Sequence, residues 1–295
     1  MWVALPATEE AFVLGEGPVW DAPRERLLWV DIRSGLLLVG RLQDGRIEIL
    51  ERMTFPGTVG AVAPSADGRL VIAAQEHLVV VDVDGTRTDG PRILPPGVGR
   101  RLNDAKPDPA GRFVVGTLLM DEPGVEMLTR LEPDGSVTLL DDDLTLSNGL
   151  AWPVDGTRLY TVDTYRQTVW VRDYDVASGG VGPRREFVRI ADGYPDGCCT
   201  DAEDHLWVAI YGRGEVRRFS PAGELVGIIS VAAPHVTNAA FAGPHLDTLV
   251  ITSATQELSQ EQLATYPDSG RVFSVQVGVT GAPVACWEPP YGTIS

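Results

Sequence analysis

Lysine, cysteine and histidine are all scarce in this 295-residue chain, and each scarcity closes off a class of chemistry. Lys106 is the single lysine, and nothing local marks it as a nucleophile. Cys198 and Cys199 are adjacent and Cys286 is remote, so three cysteines cannot build a disulfide framework, and no histidine near the pair makes it a metal site. They read as small buried hydrophobes in a reducing compartment. His77, His205, His235 and His245 are scattered, and neither an H-E-x-x-H pair, a G-x-S-x-G elbow, a Walker loop nor a dinucleotide fingerprint occurs. Basic residues are short, 24 against 41 acidic, and a net charge of -17 opposes nucleic acid and anionic membrane as partners. Long apolar runs are missing too: none approaches the roughly 20 residues that cross a bilayer, and Met1 to Glu10 has neither a basic start nor a sustained apolar core. A cytoplasmic protein is the expectation.

What is plentiful points to strands. Thirty-two glycines and 22 prolines among many Val, Leu, Thr, Tyr and Trp favour short strands joined by tight turns. Six segments repeat a polar or basic residue followed by a β-branched or aromatic run: Arg26 to Val30, Arg69 to Ala73, Arg112 to Gly116, Arg158 to Val162, His205 to Ala209 and Thr248 to Thr252. Most follow turn residues such as Ala66-Asp-Gly or Val154-Asp-Gly. A period of about 45 residues built of strands and hairpins is that of four-stranded propeller blades. The expectation is therefore all-β, a six-bladed β-propeller of four-stranded antiparallel blades, with residues 1–295 as one domain. One blade runs inward to outward through Asn148 to Trp152, Leu159 to Asp163, Thr168 to Tyr174 and Glu186 to Ile190. The sixth has too few residues after Arg271 to Val277, so a strand near Trp2 to Leu5 is expected to close it and remove free sheet edges. Gln256 to Tyr266 reads as a short helix on a surface excursion.

Counting back nine or ten residues from each repeated strand gives Glu16, Val59-Gly60, Asn103, Asn148, Asp196 and Asn238-Ala239. Five of these six places carry a side-chain oxygen, and in a propeller they converge on the central channel from different blades. Converging oxygens suit a hard divalent cation such as Ca²⁺, Mg²⁺ or Mn²⁺. The competing reading is that Asn148-Gly149 and Asp196-Gly197 are simply turn dipeptides; Glu16, before Gly17-Pro18, has no such explanation. Arg101 and Asn103, two apart on a strand, face one side, and Arg101 brings a rigid fork of donors. Asp104 is read as facing away and holding the loop.

These motifs resemble the SMP-30/gluconolactonase/regucalcin-like family of six-bladed propellers. The matching pieces are Gly15 to Trp20 (G-E-G-P-V-W), Arg101 to Asp104 (R-L-N-D) with Asp108 to Phe113 and Gly116-Thr117, Ser147 to Trp152 (S-N-G-L-A-W), Pro195-Asp196-Gly197 with Leu206 to Ala209, and Val236 to Pro244 with Thr248 to Ser253. The resemblance implies metal ligation by Glu16, Asn148 and Asp196, with Asn103 reaching the metal directly or through water. It implies substrate contacts from Arg101, Asn103 and Asp121, the last standing where the family often has Glu, and Asp196 as general base. It implies one divalent cation, Ca²⁺ favoured and Mg²⁺, Mn²⁺, Fe²⁺ or Zn²⁺ admissible, and a small-molecule sugar lactone as substrate. The activity expected is lactonase: hydrolysis of a glucono-, xylono- or arabinonolactone to the aldonic acid. A phosphotriesterase on the same propeller and a non-catalytic metal-binding propeller are the alternatives.

Overall fold

The computed structural model describes residues 1–120 and 124–289, so Asp121 and its neighbour Glu122 lie outside the described residues. Six antiparallel sheets of four strands form the blades, as the repeat predicts. Blade one runs through Gly15–Asp21, Arg26–Asp31, Leu36–Gln43 and Arg46–Thr54, and blade four through Ser147–Ala151, Arg158–Asp163, Thr168–Asp173 and Arg185–Arg189. The innermost strands of blades two, three, five and six are Val59–Pro64, Arg100–Pro107, Tyr194–Thr200 and Val236–Ala242. Each inner strand packs on the next, and the sixth packs on the first.

Burial follows position in the blade. The inner strand Val59–Pro64 is buried throughout, because neighbouring blades cover both of its faces, whereas the outer strand Arg46–Thr54 is mostly exposed. The apolar core is accordingly divided into six clusters, one in each interface between adjacent blades. Trp29 and Trp207 are fully buried there and Trp20 and Trp152 nearly so, which makes core packing their role.

Closure of the ring uses the N-terminus, but in two pieces. Leu5–Pro6 pairs with Phe273–Gln276 and supplies the fourth strand of blade six. Trp2–Val3 instead adds a fifth strand, parallel to Leu225–Ser230, on the edge of blade five, where Trp2 packs on Trp207 at 5.7 Å. Ala4 is buried, so the kink between the pieces is anchored. The expected helix is Gln260–Thr265, opened by a Ser259/Gln262 capping box, and none of its residues is buried.

The two ends of the channel differ. At the end where inner strands finish, the buried carboxylates of Asp21, Asp108 and Asp201 brace the hairpins by accepting from Arg26, Arg112 and Trp207. The segment from Thr280 to Glu288 crosses this end as a strap: Ala282 N donates to Thr200 O, and Trp287 N and Glu288 N donate to Pro64 O and Gly111 O. Trp287 is buried beneath it. The opposite end, where inner strands begin, is open.

Removing residues 1–6 deletes the closing strand, the parallel edge strand and the Trp2 contact together. The expected result is a fall in Tm of about 10 °C, since each kcal/mol shifts a domain of this size by a few degrees. An unchanged Tm in a thermal melt would remove this part of the closure.

Candidate functional site

Every inner strand is broken by a register shift near its start: between Glu16 and Val19, Val59 and Ala61, Leu102 and Ala105, Asn148 and Leu150, Pro195 and Cys198, and Val236 and Asn238. A bulge re-aims the side chain it carries, and here each lies at the place where the repeats align their polar residue. Asn148-Gly149 and Asp196-Gly197 are therefore not hairpin turns; each lies within a strand, at its bulge. The glycines serve close approach: a Cβ on Gly149 would meet the Asp196 carbonyl oxygen at 2.6 Å, and one on Gly197 would meet the Asn238 amide at 2.0 Å.

The bulges bring Glu16, Asn103, Asn148 and Asp196 together with Arg101 in the wall of one cavity of about 440 Å³ at the open end of the channel. All five side chains are at least nine-tenths buried. Arg101 Nη1 donates to Asn103 Oδ1 at 2.6 Å, and Asn103 Nδ2 donates to Asn148 Oδ1 at 2.7 Å. Asn103 is thus a bridge whose own oxygen is engaged by Arg101. Asn148 Nδ2 donates to Thr164 Oγ1, and that hydroxyl donates to the Pro195 carbonyl, so the amide orientation of Asn148 is set by a chain ending beside Asp196.

Asp104 departs from expectation. The register shift between Leu102 and Ala105 interrupts the strict alternation of faces, and Asp104 turns inward instead of away. It is buried, and Asn238 Nδ2 reaches both Asp104 Oδ2 at 3.3 Å and Glu16 Oε2 at 3.0 Å. Three carboxylates from blades one, three and five therefore share the channel. Burial, then the charge of Asp104, raises the pKa of Glu16 to about 8. Burial, then the charges of Glu16 and Asp104, pushes Asp196 well above the ordinary carboxylate range. Asp104 is raised by burial against the opposing charge of Lys106. Lys106 approaches from the strap side, its ammonium donating to the Cys198 carbonyl at 2.9 Å.

Two buried atoms of the site lack a hydrogen-bond partner among the described residues, Arg101 Nε and Asp196 Oδ1. A buried carboxylate oxygen left alone costs on the order of 1–3 kcal/mol or more, so the site is built for a positive group that reaches it. The donors are all oxygen, and Asn148 Oδ1 keeps one of its two lone pairs free. They fit a hard divalent cation. A second acidic cluster, Asp201, Glu203 and His205, also has its ligand atoms close together. It fits less well, because the Asp201 carboxylate already accepts from Trp207 Nε1, Arg218 Nε and two backbone amides. An arginine, Arg218, occupies the place of an ion there.

The upper wall was not anticipated. Tyr165, Tyr194 and Tyr211 line it, with Gln256 and Glu257 from the segment before the helix. Tyr211 stacks on His235 at 4.0 Å, and His235 Nδ1 lies 2.9 Å from Gln256 O. The helix itself is a surface excursion, but its leading residues belong to the cavity. These side chains come from loops and strand ends outside the aligned positions, and only Asn238 among the additional residues carried a sequence signal.

A model of the SMP-30/Gluconolactonase/LRE-like region matches residues 14–255. Regucalcin of Danio rerio is 36% identical over 277 residues, covering 92% of this chain and 93% of the relative. Pentonolactonase XacC of Haloferax volcanii is 33% identical over 276 residues, again 92% and 93%. The solved structure of a calcium-binding regucalcin from Agrobacterium tumefaciens superposes with a TM-score of 0.90 at 28% identity, covering 99% of this chain and 98% of that one.

The raised pKa of Glu16 fixes the sign of a pH effect. In the metal-free protein Glu16 binds its proton up to about pH 8, whereas the unfolded chain releases it near 4.5. The folded state thus holds the extra proton between these values, so stability falls as pH rises from about 4.5 and the loss is complete just above about 8. The chelated protein should lose Tm between about pH 5 and 8, and Glu16→Gln should flatten that slope; an equal slope in both, measured by calorimetry, contradicts the assignment.

Proposed function

Because the chain belongs to the SMP-30/gluconolactonase/LRE-like family, we propose that it is a metal-dependent lactonase that hydrolyses an aldonolactone, such as a glucono-, xylono- or arabinonolactone, to the aldonic acid. The observation that carries this reading is the buried, unpartnered Oδ1 of Asp196 in the wall of a sugar-sized cavity beside Arg101. The pentonolactonase name of a relative covering nearly the whole chain supports the same class.

Glu16, Asn148 and Asp196 would hold one divalent cation, Ca²⁺ favoured by the oxygen-only donors and by the calcium-binding neighbour. A bound cation supplies Lewis acidity toward the lactone carbonyl. The remaining work falls to the chain. Asp196 is the proposed general base: its carboxylate lies in the cavity wall with Oδ1 unpartnered, placed to take a proton from the attacking water. Arg101 presents a guanidinium whose Nε has no partner, a free donor for oxygens of the substrate. Asn103 ties Arg101 to Asn148 and so couples the substrate wall to the ligand set. Asn238, shared between Glu16 and Asp104, keeps Glu16 in position, and Lys106 faces Asp104. Asp121 is proposed as a further substrate contact. Residues 1–295 are proposed to act as one propeller domain, and the free cysteines Cys198, Cys199 and Cys286 support a reducing, cytoplasmic setting.

Asp196→Asn should lower kcat by at least about a hundredfold while Tm stays within a few degrees. Appreciable lactone opening by the folded variant, followed by acid release, removes the base. Chelation should abolish turnover and add-back of a divalent cation should restore it; full activity after exhaustive chelation points to a metal-free reaction and overturns the proposal.

A further inference from the structure

Arg101 has a second cation beside it. Arg33, on the turn that follows the second strand of blade one, lines the same cavity nearer the solvent. Its Nε donates to Gln256 Oε1 at 2.7 Å, which fixes the plane of the guanidinium and leaves both terminal nitrogens uncommitted by that contact. Arg101 is held from below by Leu102 O and Asn103 Oδ1. Among the described residues neither guanidinium closes a salt bridge.

Two guanidiniums line one cavity whose wall also carries the carboxylates of Glu16, Asp196 and Glu257, yet both keep donors that none of these accepts. A neutral polyhydroxy lactone needs hydrogen-bond donors and acceptors but no pair of cations. An anionic substituent needs the pair: guanidinium forks match the paired oxygens of a carboxylate, phosphate or sulfonate. The lactone ester would sit at Asp196, deep in the channel, and the substituent would point up the wall toward Arg33.

Building on the lactonase reading, we propose that the preferred substrate class is an aldonolactone carrying an anionic group remote from the ring ester, gripped between Arg33 and Arg101, with Arg33 as the specificity-determining residue. Arg33 is exposed and has a single side-chain hydrogen bond, so its replacement leaves the fold intact.

A matched pair of probes tests this. D-Glucono-1,4-lactone and D-glucaro-1,4-lactone differ by a carboxylate in place of the terminal hydroxymethyl group, and a 6-phosphorylated lactone separates phosphate from carboxylate recognition. With the metal-loaded protein, at least one anionic lactone should exceed the neutral one in kcat/KM. Arg33→Gln should lose that advantage, a drop of roughly tenfold on the anionic substrate as for a charged hydrogen bond, with the neutral lactone changed less than twofold. Equal losses on both kinds of lactone, or none on either, would overturn the proposal. Hydrolysis of the neutral lactone without anionic preference overturns this inference alone, whereas hydrolysis of no lactone overturns the lactonase reading beneath it.

Discussion

Three carboxylates held together out of water are the constraint on which the centre of this molecule depends. Glu16, Asp104 and Asp196 come from alternate blades and meet where the inner strands begin. Each is costly alone, and their mutual repulsion adds to the cost. Part of the compensation is built in. Asn238 shares one amide between Glu16 and Asp104, Lys106 faces Asp104 from the strap side, and Arg101 lies on the open side. Asp196 Oδ1 is what this arrangement leaves over. The proposed cation completes the balance, and the proposed base is one of three carboxylates whose proton affinity burial and crowding raise.

The ring delivers this convergence by a repeated backbone device. A bulge in every inner strand turns one side chain toward the axis, and glycines beside two of the polar positions let neighbouring strands approach closely. Blade two, with Val59 and Gly60 at the aligned place, adds no polar group but still bulges, so the deformation belongs to the ring geometry and not to the ligand. The six interblade clusters make that ring rigid, and the strap from Thr280 to Glu288 ties blade five to blades two and three across the far end. The candidate site opens past Arg33 and the tyrosines.

Most of the architecture was legible because blades repeat. The strand starting at Arg158 and its counterparts recur at nearly constant spacing, and counting back from them found Glu16, Asn103, Asn148, Asp196 and Asn238 without knowledge of the fold. Asp104 was misread for a physical reason: alternation of faces holds only in regular strand, and the bulge after Leu102 suspends it. The split of the N-terminus between two blades was hidden because Trp2–Val3 and Leu5–Pro6 are each two residues long, too short for any period to show. Tyr165, Tyr211, Gln256 and Glu257 line the cavity from positions outside the aligned ones, where a sequence carries no register. Lys106 was conspicuous as the only lysine, yet its partner, the carbonyl of Cys198, lies 92 positions away and could be seen only in three dimensions.

The claim at the centre is that the channel carboxylates form the cation site. Crystals soaked in Mn²⁺ after chelation, with anomalous differences collected above the manganese edge, address it directly. A peak within bonding distance of Glu16 and Asp196 is predicted. A map with no channel peak, or with its only peak at Asp201, Glu203 and His205, would contradict it.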